Sequence, residues 1–224
     1  MKAVVLDSGP LINLSMNGIL YILKGLKEKT GVRFLITKEV RSETIDKPTG
    51  IPRFELGALM ISQLLKEGTL EMPDNAGIRD ERIKEITTEL MDYANHTLSS
   101  NGKFINIVSP AEISCLALSK LLSEKNIESL VAVDERTTRT LGENPESLEE
   151  IMSKKMHTIV KINKKNLGKF SNFNFIRSTE LVLVAFKLGV LEIKDPRALE
   201  AVLYATKFKG AAVSFDEINI LKKM

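Results

Sequence analysis

The sequence predicts an α/β fold, a three-layer α/β/α arrangement around a central, mostly parallel sheet of four to five strands. The short apolar run at residues 3–6, rich in β-branched residues, reads as a strand buried on both faces, and residues 32–36 and 129–133 read as further strands. Between them lie stretches with apolar residues at helical spacing, the alternation expected of parallel strands joined by helical crossovers. Composition agrees, with 43% hydrophobic and 27% charged residues, enough for a core and a solvated surface. With no Trp and only 5% aromatics, that core must be aliphatic.

The first strand stops at Asp7-Ser8-Gly9-Pro10. Pro10 suits a helix start, and Leu11, Ile12, Leu14, Ile19, Ile22 and Leu23 continue at helical spacing. After the second strand, Thr37 is placed to cap a short helix running through Glu43 and Ile45. Two prolines and a glycine make 46–52 a loop. A helix follows over 54–66, closed by Gly68, and then a short strand at 69–72. Residues 74–96 carry Ile78, Ile83, Ile86, Leu90 and Tyr93 on one side, which predicts a single amphipathic helix. A polar loop is expected at 98–103, followed by an apolar stretch of unassigned state at 104–108.

Ser109-Pro110-Ala111-Glu112 has the order of a helix start: a cap, a proline at the first position and an acid at the third. That helix should run to about Glu124. The strand at 129–133 is closed by Asp134, and another helix begins over 137–141. Residues 142–175 are less regular, with an acidic piece, a basic piece and a candidate strand at 159–162. Helical patterns return at 178–187, stopped by Gly189, and at 196–208. The chain is read as one domain over 1–224.

Formal net charge is +3, from 32 Lys+Arg against 29 Asp+Glu, which permits a polyanionic partner without demanding one. The single cysteine, Cys115, excludes an internal disulfide framework and a Cys-rich zinc site, and suits a reducing compartment. The apolar run after Met1-Lys2 is too short for a signal peptide, and no stretch of about 18 apolar residues would span a membrane. A cytoplasmic protein with no membrane partner is the expectation. No glycine-rich phosphate loop follows a strand, and His96 and His157 lack the context of a nucleophile–histidine scheme.

The acids carry the chemistry. Asp7 and Asp134 each follow the last residue of a strand, on the edge where open parallel sheets bind ligands. Glu43 and Glu112 fall on helices, Glu112 in a first turn. Carboxylates converging there would repel one another unless a cation neutralised them. Magnesium and manganese prefer oxygen ligands, polarise phosphoryl oxygens and activate water. Taken singly, each acid has an ordinary reading. Asp7 suits a helix cap or turn, and Glu43 a solvated helix face. Glu112 suits a capping box, and Asp134 with Glu135 a helix start. Spacing alone does not lift them into a site.

The segments containing them resemble the PIN-domain family, whose nearest branches here are toxin nucleases and archaeal PIN ribonucleases. Val5-Leu6-Asp7-Ser8-Gly9-Pro10-Leu11-Ile12 looks like the family's opening strand, acid, small hydroxylated residue and Leu-Ile pair. Ile36 to Glu43 looks like its strand-to-helix passage, in which Glu follows Val by three positions; that selects Glu43 over Glu39. Glu112-Ile113-Ser114-Cys115-Leu116-Ala117 resembles its helical acid with Ala five positions on, with Glu where many toxin-branch members carry Asp. Residues 130–134 look like its strand ending in Asp, and Glu135 offers the second acid many relatives carry. A weaker match covers 175–191, where Ser178-Thr179 replaces a Gly-Thr pair; the extra acid of a full second metal site is not evident there.

The resemblance spans about residues 1–192, with segments 46–108 and 142–175 read as insertions. It implies a PIN-like fold and a metal-dependent endoribonuclease that uses Mg²⁺ or Mn²⁺ on Asp7, Glu43, Glu112 and Asp134. It also implies RNA as partner, a protein antitoxin or inhibitor in a toxin-like role, and a homodimer. The alternative it allows is a catalytically inactive RNA-binding or assembly module on the same fold.

Around these acids, Ser8 is either a turn residue or a hydroxyl that holds an acid. Arg41, Arg136 and Arg139 would either position a scissile phosphate or pair with the acids. The lysines at 154–169, followed by Phe170 and Phe173, are either a patch that binds phosphates and single-stranded bases or a solvated insertion with core phenylalanines. Cys115 is expected to be core packing.

Overall fold

The computed structural model describes residues 2–224. Five parallel strands form the central sheet: β1 (Lys2–Leu6), β2 (Arg33–Leu35), β3 (Leu70–Glu71), β6 (Glu128–Ala132) and β8 (Phe175–Ile176), in the order β3-β2-β1-β6-β8. Val5 pairs with Leu35 on one side of β1 and with Val131 on the other. The middle strand is the most apolar, as a strand covered on both faces must be: Val5 and Leu6 are fully buried.

Helices flank this sheet. α6 (Pro110–Glu124) packs against β1, β6, α3 (Lys38–Arg41) and α5 (Asp80–Asn95). α2 (Tyr21–Thr30) packs on β2 and on α9 (Ser178–Lys187), which also meets α1 (Ser8–Met16) and α10 (Ala198–Phe208). α1 in turn packs against α4 (Glu55–Lys66). The three-layer α/β/α expectation is met. Buried aliphatic side chains from Ala3 to Leu221 form one contiguous core.

The chain leaves β1 toward β2 and β3 on one side, then returns to place β6 and β8 on the other. The strand order therefore reverses between β1 and β6. In open α/β sheets a crevice forms outside the carboxyl ends of the strands at such a reversal. Asp7 and Asp134 sit at that point.

Several local expectations are corrected. The helix expected to run on from Pro10 breaks at Asn17-Gly18, where Gly18 has a φ of 68°. The amphipathic helix expected from residue 74 begins at Asp80; before it, Pro73–Ala76 forms a 3-10 turn ended by Gly77 at φ 66°. The loop expected at 98–103 is a hairpin of β4 (Leu98–Ser100) and β5 (Lys103–Phe104), joined by Asn101 and Gly102, both at positive φ. β4 also pairs with β7 (Lys161–Ile162), so both segments read as insertions meet in a second, antiparallel sheet. The region after Asp134 holds α7 (Arg136–Glu143) and an unforeseen helix, α8 (Leu148–Met156). The C-terminal α11 (Phe215–Leu221) lies beyond the last expected element.

Candidate functional site

Asp7 directly follows β1 and caps α1, accepting the Gly9 N–H at 3.3 Å through Oδ2. A methyl group on Gly9 would lie 3.5 Å from Asp7 Oδ2 and 3.6 Å from Asp134 Cβ, so the first turn of α1 sits between the two acids. Asp7 is 6% exposed, and its Oδ1 is buried with no hydrogen-bond partner among the described residues. Burial, then the Glu112 carboxylate, push the Asp7 carboxyl up to about 7; Glu43 adds to the push and the N–H groups of Ser8 and Gly9 oppose it.

Glu43 is half-buried on a turn of π-helix, Ser42–Asp46, that follows α3. The widened turn carries it past α3 to the edge beyond β1, where the Ser8 hydroxyl donates to its Oε2 at 2.6 Å. π-turns of this kind occur frequently at functional sites. Of the alternatives raised for this position, Asp46 is exposed and paired with Arg41 at 3.4 Å. Glu39 is half-buried, with Oε2 buried and without a partner.

Glu112 is in the capping box the sequence predicts, its Oε2 accepting the Ser109 N–H at 2.7 Å. Its Oε1 accepts the Thr138 hydroxyl at 2.5 Å. Asp134 is 4% exposed and held by three donors: Ser178 N–H and hydroxyl, each at 2.8 Å, and Asn13 Nδ2 at 3.3 Å. Burial raises the Asp134 carboxyl above its ordinary range, while the Ser178 and Asn13 hydrogen bonds pull it down. Glu135 points elsewhere, capping α7 through the N–H groups of Thr137 and Thr138.

The fold thus brings all four acids to the carboxyl edge of the sheet or the helix turns beside it, with Asp7 sensing both Glu112 and Glu43. It does not gather them into a cage. Among the described residues, no group of three or more His, Cys, Asp or Glu side chains is arranged to hold a metal ion. The reason is visible in the bonding: Glu43, Glu112 and Asp134 are each turned toward protein donors.

Three contributors escaped the sequence reading. Asn13 is buried in α1 and binds Asp134 and the Thr206 carbonyl; a polar residue at an apolar helical position was the available signal. Thr138 carried no comparable mark, and Ser178 was marked only as one of the pair opening the helix after residue 177, not as a partner of Asp134. Ser8 proves to hold an acid. Cys115 is fully buried, its thiol raised well above the usual range by burial and then by Asp7, Glu112 and Glu39. In the lysine-rich segment Phe170 is fully buried and Lys169 lies over the Tyr93 ring at 4.8 Å.

Among the described residues no helix is long and apolar enough to cross a membrane. No protein-family model matches the chain, and neither a curated protein nor a solved structure matches it.

Proposed function

We propose that the chain is a metal-dependent endoribonuclease of the PIN type, hydrolysing RNA phosphodiester bonds at the edge carrying Asp7, Glu43, Glu112 and Asp134. The observation that carries this reading is Asp7: a buried carboxylate pressed by two other acids and, among the described residues, with one oxygen unpartnered and no ion pair. An arrangement of that kind is unfavourable for folding alone and suits a ligand that brings positive charge.

The donor set fits Mg²⁺ or Mn²⁺, since every candidate ligand atom is a carboxylate oxygen. Asp7 would hold the ion through Oδ1, with Glu43 and Glu112 exchanging the hydroxyls of Ser8 and Thr138 for it. Such an ion supplies polarisation of a phosphoryl oxygen and a lowered pKa for the attacking water. The protein's own part is positioning. Ser8 orients Glu43, Ser109 and Thr138 orient Glu112, and Asn13 and Ser178 fix Asp134. The lone buried thiol accords with a reducing compartment, and we assign the protein to the cytoplasm.

One observation favours a second reading, a catalytically inactive PIN-fold module that binds RNA or assembles with a partner. Three of the four acids already have side-chain donors, and no three of them form a ready metal site. Cleavage of mixed structured and unstructured RNAs with Mn²⁺, with Asp7→Asn run beside the native protein, separates the two. Cleavage that requires Mn²⁺ and disappears in Asp7→Asn supports the nuclease. Cleavage that survives the substitution overturns the site, and absence of cleavage in both gives precedence to the inactive module.

A further inference from the structure

The three arginines near the acids in sequence part company in the structure. Arg41 pairs with Asp46, and Arg136 is exposed. Arg139, on α7, is half-buried, and its Nε is buried with no partner. The Arg139 side chain makes no ion pair or hydrogen bond among the described residues.

Its surroundings do not explain it as a structural residue. Burial, and then the neighbouring Arg177 guanidinium, pull Arg139 below the ordinary arginine range, against weaker attraction from Glu143, Glu180 and Glu217. Glu180 and Glu217 are already bonded to Arg177. Glu143 is exposed, four residues on, in the less favourable order for a helical ion pair. A half-buried cation beside a like charge is costly unless something anionic arrives.

The place where that anion would arrive is the acid edge. Thr138, immediately before Arg139, donates to Glu112. Arg177, the like-charged neighbour, immediately precedes Ser178, which holds Asp134. Arg139 is thus next in the chain to a hydroxyl that fixes Glu112, and its charged neighbour Arg177 is next in the chain to the serine that fixes Asp134. Carboxylates repel a phosphodiester, so a cation of the protein's own beside the acids would add to the positive charge that a bound metal ion brings. A guanidinium suits this role well, because its planar fork matches phosphate oxygens in pairs.

We propose that Arg139 is a phosphate-binding residue that grips a backbone phosphate of the nucleic acid next to Glu112 and Asp134. This rests on RNA being the substrate of the acid edge.

The test is binding of a fluorescently labelled, short single-stranded RNA in EDTA, where neither cleavage nor metal enters. Arg139→Gln should weaken binding about tenfold and reduce the slope of log K against log salt by about one, the loss of one phosphate contact. Arg139→Lys, which keeps the charge, should retain the slope. Melting supplies a readout that a structural role would move the other way: Arg139→Gln should melt at or above the native temperature, because an unpaired charge is removed. Unchanged affinity and slope in Arg139→Gln would sink the inference, as would a clear loss of stability or of folding. If native protein binds no RNA but inorganic phosphate raises its melting temperature only when Arg139 is present, the RNA reading fails while the anion site stands. If RNA is bound and cleaved without any dependence on Arg139, this inference fails alone.

Discussion

Carboxylates at the two flanks of the sheet edge are treated in opposite ways. On one flank Glu180 and Glu217 share Arg177: its Nε and Nη2 reach Glu180, and its Nη1 lies 2.6 Å from Glu217. Partial burial pushes the Glu217 carboxyl up, but the Ser214 N–H and Arg177 hold it down to about 2. Burial opposes the charge on Arg177 as well, yet its two glutamates raise it above the usual arginine range. On the other flank Asp7 is as deeply buried as Arg177, faces Glu112 and Glu43, and has no basic side chain within ion-pair distance among the described residues. The first arrangement is complete and ties α9 to α11. The second is incomplete, and an incomplete buried cluster is where a ligand is expected to contribute.

The largest effect should come from breaking the complete flank. Arg177→Met removes the cation from two acids and from the Ala212 carbonyl that it also reaches at 3.3 Å. Removing one partner of a buried pair costs about 3–5 kcal/mol; Glu217 is 44% exposed and solvent screens its share, so urea unfolding should show a loss at the lower end of that range. Because the folded-state pKa of Glu217 lies below its ordinary value of 4.5, at about 2, its contribution is present above pH 4.5 and disappears as pH falls through that window. The penalty of Arg177→Met should therefore shrink toward pH 2. A loss under 1 kcal/mol at neutral pH, or one independent of pH, would mean that the knot is only a surface contact.

The incomplete flank should respond with the opposite sign. In EDTA the Asp7 carboxyl has a folded-state pKa of about 7 against an ordinary 3.8. The folded state holds its proton more tightly, so stability falls as pH rises from about 4 to about 7 and levels off above that. Asparagine caps a helix as well as aspartate does. Asp7→Asn should therefore stabilise the metal-free protein at pH 8 by about 2–4 kcal/mol, with the gain vanishing near pH 4. Mn²⁺ should raise the melting temperature of the native protein and leave Asp7→Asn unmoved. Destabilisation by Asp7→Asn at pH 8 would show that the carboxylate is satisfied after all, and would remove the main support for the nuclease reading.

This contrast was only half legible in the sequence. The strand runs were readable because burial on both faces leaves nearly unbroken aliphatic residues, and an acid directly after each of two such strands placed Asp7 and Asp134 at the carboxyl edge. The capping box of Glu112 was readable because caps are local. The Arg177 knot was not, since its choice of Glu217 joins elements far apart in the chain. The hairpin at Asn101-Gly102 carried a strong local turn signal, yet its strands are too short to show alternation and the second partner, β7, lies in the other insertion. The break at Gly18 was hidden by apolar spacing that ran straight across it, and only a left-handed turn at that glycine reveals it.

Asp134 lies between the two extremes, and it supplies the finest test of the comparison. It is buried like Asp7 and makes no ion pair among the described residues, yet neutral donors from Ser178 and Asn13 surround it. Ser178→Ala removes one donor and keeps the backbone N–H. The expected loss at pH 8 is about 1.5–3 kcal/mol, the usual worth of a hydrogen bond to a charged group. Burial already raises the Asp134 carboxyl, so losing the hydroxyl should raise it further. The folded variant would then hold its proton at higher pH, and the penalty should fade on acidification as Asp134 becomes neutral. If the penalty is the same at pH 8 and pH 4, the hydroxyl serves the start of α9 rather than the charge, and Asp134 joins the complete flank. A penalty that fades instead places Asp134 with Asp7, as a carboxylate kept ionised at the folded protein's expense.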